Sequence, residues 1–143
     1  MRTTHLRTAV LALLAVWSSG CGNGGYDAGN VTVTVSPATA TVPENGQQPL
    51  QATVNHFCSG CMPQINWSIA ENNGADCAWV DMNNPPLGPC PGGTIQGLGP
   101  QGLDSQNVIY YAPGSSGTFH VSASQFVTFT EDTTGTSGIT VSP

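Results

Sequence analysis

A chain of 143 residues, 7% of them charged and with 18 Gly and 11 Pro, allows one domain of ordinary size whose core needs neither a metal nor a partner chain. Abundant Gly, Pro, Ser, Thr and Asn suit short strands joined by turns and disfavour helices. The net charge of −6 includes two basic residues, Arg2 and Arg7, so nothing further along can neutralise phosphate, which excludes nucleic acid and anionic membrane surfaces as partners of the rest.

In chain order, Arg2 and Arg7 precede an apolar run at residues 9–17, and Ser18, Ser19 and Gly20 lead into Cys21. Nine apolar residues are too few to span a bilayer and have the build of a processing signal. The run resembles a bacterial lipoprotein signal, with Ser18 at the position usually taken by Leu. That resemblance implies removal of residues 1–20 and lipidation of Cys21, which would anchor the chain to a membrane through acyl chains. The alternative is a plain secretory signal cleaved near Gly20, leaving Cys21 a thiol. Loss of both arginines takes the formal charge from −6 to −8. Gly22 stands where Asp often marks inner-membrane retention in lipoproteins of diderm bacteria, so the outer membrane or cell surface is the expected address. Residues 21–30 are a Gly- and Asn-rich tether, with a root-mean-square span of roughly 17 Å.

Strands begin at residue 31. Residues 31–35 alternate Val with Thr and end at Ser36-Pro37, and residues 39–42 continue past the kink. Pro43-Glu44-Asn45-Gly46 reads as a turn, and residues 49–54 face Leu50, Ala52 and Val54 inward. Residues 65–69 (INWSI) send Ile65, Trp67 and Ile69 to one face, and this strand is expected at the centre of a sandwich whose two sheets close over Trp67. Between Glu71 and Gln106 the pattern dissolves into Asn, Gly and Pro, as in an enlarged connection crossing between sheets. Strands resume at 108–111, at 118–129 with Phe119, Val121 and Ala123 on one face, and at 138–141. About seven short strands with turns between them predict an all-β, immunoglobulin-like β-sandwich over residues 31–143.

Val33-Thr34-Val35-Ser36-Pro37, Gln51-Ala52-Thr53-Val54, Asn66-Trp67-Ser68, Gly93-Thr94-Ile95, Tyr110-Tyr111-Ala112-Pro113 and the segment from Phe119 to Ser124 occur in an order similar to bacterial immunoglobulin-like (Big-type) domains of surface proteins and adhesins. Val108-Ile109-Tyr110 stands where those domains commonly carry Gly-Leu-Tyr. The resemblance implies adhesion, spacing or surface display, with no catalytic residues to carry over. Thr34-Val35-Ser36-Pro37 recurs as Thr140-Val141-Ser142-Pro143, as though a tandem domain followed.

Setting Cys21 aside leaves Cys58, Cys61, Cys77 and Cys90 to pair, as expected outside the cytosol. The favoured pairings are Cys58 with Cys61 and Cys77 with Cys90, each closing within one loop, with Cys58 or Cys61 to Cys77 as the alternative. His56, Cys58, Cys61 and Met62 have donor types that suit copper or zinc, but no second Cys-x-x-Cys or His pair accompanies them, so neither metal nor other cofactor is expected. His56 and His120, the histidines beyond the signal, lie in no hydrolase or metalloprotease context. Glu71, Asp76, Asp81 and Asp104 could pair as acid and base but read as solvated loop carboxylates, so no enzymatic activity is expected. The alternative function is carbohydrate binding through Trp79 and Tyr111. Tyr110 and Tyr111 point to opposite faces, so one looks outward. The plainer expectation puts Tyr110 in the core, Tyr111 over a sheet edge and Trp79 on the sandwich end.

Overall fold

The computed structural model describes residues 31–55, 63–79, 85–86, 88–98, 106–128 and 131–143, and the side chains of all of these except 126–128 and 131–132. The described residues form nine strands: β1 Thr32–Ser36, β2 Thr39–Pro43, β3 Gln47–Asn55, β4 Ile65–Ile69, β5 Ala78–Trp79, β6 Thr94–Gly97, β7 Asn107–Tyr111, β8 Gly117–Thr128 and β9 Glu131–Ser142. One sheet has the order β1-β3-β7-β6-β5, the other β2-β9-β8-β4. This is an immunoglobulin-like sandwich, with the strand order A-B-E-D facing the G-F-C set.

The count exceeds seven for two physical reasons. Pro37 has no N–H to continue a ladder, so the chain leaves the first sheet there, at a cis Ser36-Pro37 bond, and β2 joins the second sheet parallel to β9. Two contacts hold the crossing: Ser137 Oγ donates to Pro37 O at 2.7 Å, and Gly138 N–H donates to Ala38 O at 2.9 Å. Second, the stretch that loses its pattern after Glu71 still contributes β6 and the two-residue β5, paired parallel to each other at the edge of the first sheet.

Alternation sorts the core. Val33, Val35, Leu50, Ala52, Val108, Ile139 and Val141 are buried while their strand neighbours are not. Tyr110, fully buried, is the largest side chain at the centre. Trp67 does not hold that place. Its strand, β4, is bonded only to β8 and forms the edge of the second sheet, so Ile65 and Ile69 are buried while Trp67 is only partly buried, packed against the core margin. The far side of the sandwich is closed instead: a Cβ on Gly135 of β9 would lie 2.7 Å from Val33 O, so β1 rides directly on the β9 backbone.

The register also places the ends of the domain. Thr32 pairs with Asn55, at one end of β3, whereas Gln47, at the other end, pairs with Tyr111. Ser142 belongs to this second pole, where Glu44 N–H donates to its carbonyl at 2.9 Å and Asn45 N–H to Pro113 O. Residues 31 and 143 therefore leave from opposite poles of a body about 30 Å long, the rise of the nine-residue β3. Thr140 to Ser142, the second copy of the terminal echo, complete this domain's own last strand, with Val141 in its core.

Candidate functional site

Residues 69–79 and 90–93 are held by a small buried scaffold. A single turn of 3-10 helix, Ala70–Asn72, follows β4, and the buried Asn72 closes both sides of a backbone-like pair: Gly92 N–H donates to its Oδ1 at 2.7 Å and its Nδ2 donates to Gly93 O at 3.0 Å. Beside it the Tyr110 hydroxyl donates to Gly92 O at 2.8 Å. Burial, then the nearby Glu71 carboxylate, raise the phenol's pKa, so the hydroxyl remains a donor at any ordinary pH. Gly93 has φ +95°, and a Cβ there would sit 2.3 Å from Tyr111 O. Cys77 and Cys90 form the expected disulfide, 13 residues apart with Cα atoms separated by 5.9 Å. Closing a loop of that length contributes roughly 3 kcal/mol on the chain-entropy account. Ile95 N–H donates to Cys77 O and Gly93 N–H to Cys90 O, which carries β5 into line with β6.

This scaffold brings two of the expected binding residues together. Trp79 on β5 and Tyr111 on β7 stack over β6, with ring centroids 6.1 Å apart and planes 14° from parallel. Such a pair contributes about 0.5–1.5 kcal/mol beyond its buried area. The Tyr111 hydroxyl donates to Gln96 Oε1 at 2.7 Å, leaving the Gln96 NH2 as a donor. Trp79 Nε1 is buried and donates to no acceptor among the described residues, so stacking and the disulfide-pinned backbone hold the indole. Tyr111 covers no sheet edge: β7 is the middle strand of its sheet, and Tyr111 stands on the outer face because Tyr110 takes the core. Trp79 stands on that same face rather than over the sandwich end.

The outward residues of this face are ordered by register. Pro49, Ile109, Gln96 and Trp79 lie opposite one another on successive strands. Next to that row Gln51 Nε2 donates to Asn107 Oδ1 at 3.1 Å. No residue of β1, β3, β5, β6 or β7 is charged. At the open side of the sandwich, between β4 and β5, a cleft of about 370 Å³ is walled by Trp67, Ile69, Asp76 and Ile95.

The remaining candidates have structural partners. Glu71 accepts from His120 N–H at 2.9 Å and lies 2.7 Å from His120 Nδ1, clamping the outer face of β8 to the turn after β4. Burial raises the Glu71 pKa, but the hydrogen bonds from His120 outweigh it and hold the carboxyl below its ordinary 4.5. Asp76 Oδ1 accepts from Ala78 N–H. Among the described residues, neither is paired with another carboxylate. Among the described residues no group of three or more His, Cys, Asp or Glu is placed to hold a metal. Cys21, Cys58, Cys61, His56, Asp81 and Asp104 lie outside the described residues.

Sequence reasoning missed Gln96, the bracing role of Asn72 and the Glu71–His120 contact. Only the Pro91-Gly92-Gly93 run, a turn signal directly after Cys90, hinted at the close approach that Asn72 and Tyr110 exploit.

No family model and no curated protein matches this chain. Among solved structures it is similar to a nucleoside hydrolase-related hypothetical protein from Saccharophagus degradans that is associated with carbohydrate metabolism, at TM-score 0.44 and 9% identity. The likeness covers 78% of this chain and 25% of that protein, and at this level it bears on neither activity nor ligand.

Proposed function

We propose that the chain is a non-enzymatic cell-envelope lipoprotein, anchored through acyl chains on Cys21, that displays one immunoglobulin-like domain for adhesion, spacing or protein interaction. The observation that supports this most is the placement of residues 31 and 143 at opposite poles: a tether at one holds the other pole about 30 Å further out and leaves both sheet faces clear along that length. No catalytic pair is needed for that role, and the Glu71–His120 contact ties β8 to the turn after β4. The test is the intact mass of the mature protein from native membranes, with a parallel Cys21→Ser variant. The expected result is a diacylglyceryl-sized increment confined to wild type, with the variant released to the soluble fraction. Wild type without the increment would sink the proposal.

A second reading, carbohydrate binding, is favoured by one specific observation. Trp79 and Tyr111 meet on an outer face that carries no charge.

A further inference from the structure

We infer that the outer face of the five-stranded sheet holds a neutral polysaccharide chain laid across its strands, an inference that rests on the carbohydrate reading. The row from Trp79 through Gln96 and Ile109 to Pro49 crosses three strand spacings, about 14 Å, the length of several sugar rings rather than one. Three of its four members offer carbon surface. On each side, about 7 Å away because same-face neighbours are two residues apart, lies a row that hydrogen-bonds. The Gln51–Asn107 amide pair forms one, and Gln47 and Thr94, which flank Tyr111 in register, form the other, with the Tyr111 hydroxyl leaning back to Gln96 in the central row.

A pyranose chain has the matching cross-section. Its rings present C–H faces that pack on aromatic and aliphatic side chains, and its rims carry hydroxyls that both donate and accept. The ordering is already in place before a ligand arrives, since Gln51 is tied to Asn107 and Gln96 to Tyr111, which lowers the entropy lost on binding. Charge selects the class of polymer. The face itself has none, residues 8–143 contain no Lys or Arg, and all eight acidic residues lie within them, so an anionic polysaccharide meets net repulsion and no counter-charge. Among the described residues, the outer face of the other sheet carries small hydroxyls instead, such as Ser122 and Thr136 bonded to each other.

The test uses the full mature chain in detergent micelles, run through native gels containing hydroxyethylcellulose, xyloglucan, galactomannan, laminarin or, as the anionic comparison, alginate. Titration calorimetry follows, with oligosaccharides of rising length from whichever polymer retards it. The inference expects retardation by at least one neutral polymer and none by alginate, with affinity rising about tenfold from disaccharide to tetrasaccharide. Trp79→Ala should weaken binding at every length, Gln51→Ala only for the longer oligomers, and Thr140→Ala, on the opposite face, at none. Gln51 is exposed, so its variant keeps the test valid if Trp79→Ala melts early. Retardation that survives both substitutions, or affinity that does not change with length, overturns the platform while leaving carbohydrate binding in place elsewhere. No retardation by any neutral polymer overturns both.

Discussion

The two sheets share one core and present unlike outer faces. The five-stranded face is uncharged and carries long amides, Ile109 and a stacked Trp79–Tyr111 pair. The four-stranded face carries short hydroxyls and the Glu71–His120 clamp, and its contacts tie neighbouring strands to one another. Their support differs as well. β8 and β9 are twelve-residue strands paired along nearly their whole length, so the second sheet is built from its own ladder. β5 and β6 are short, and they keep their place through a disulfide, two glycines and a buried asparagine. The lesson is that the face with the richer surface chemistry depends on non-local pins, whereas the face held by continuous strand pairing is chemically plain.

The sharpest way to break that contrast is a pair of glycine substitutions. Gly93→Ala forces a side chain to φ +95° and against Tyr111 O, and is expected to cost on the order of 3–4 kcal/mol. Gly138→Ala, in β9 of the other sheet, meets only Thr39 Cγ2 at 3.9 Å and should stay within about 0.5 kcal/mol of wild type. Urea melts of the two variants decide it: equal losses would mean that the five-stranded sheet has no special dependence on its turn.

Removing the bridge by Cys77→Ser with Cys90→Ser comes next, at roughly 3 kcal/mol. Here the contrast is spatial. Amide exchange should speed up in β5 and β6 while β8 and β9 keep their protection, and uniform acceleration through both sheets would contradict a local pin.

The smallest effect belongs to the four-stranded face. Because the folded Glu71 carboxyl lies below 4.5, its stabilising contribution is present above that value and is lost as pH falls through the lowered one. Glu71→Gln should therefore be less stable than wild type near neutrality, by less than about 1 kcal/mol for a contact this open to solvent, and the gap should close in acid. A gap that widened on acidification would refute the clamp.

Much of the architecture was legible in the residues. Alternation in Val33/Val35, Leu50/Ala52 and Phe119/Val121/Ala123 marked inward side chains correctly, and adjacency alone required Tyr110 and Tyr111 to face opposite ways. The Cys77–Cys90 pair was the favoured one of two readings, because it closes within one loop. The candidate site was half legible. Trp79 and Tyr111 stood out as aromatics, but nothing local tells that residues 32 positions apart stack, or that Gln96 lies between them. Glu71 and His120 are 49 positions apart and meet only because β4 pairs with β8. Trp67 misled for a related reason: period two reports which face a side chain takes and carries no information on how far its strand lies from the edge of the sheet.

By itself, then, the sequence determined the β class, the inward and outward residue sets and the absence of basic residues beyond position 7, because these depend on composition and on the steric alternation of an extended backbone. Tertiary structure alone decided strand order. That order put β4 and β5 at the open edges, Tyr110 rather than Trp67 at the centre, and Trp79 beside Tyr111. Strand neighbours are chosen by packing and hydrogen bonding among segments far apart in the chain, and no local pattern encodes that choice.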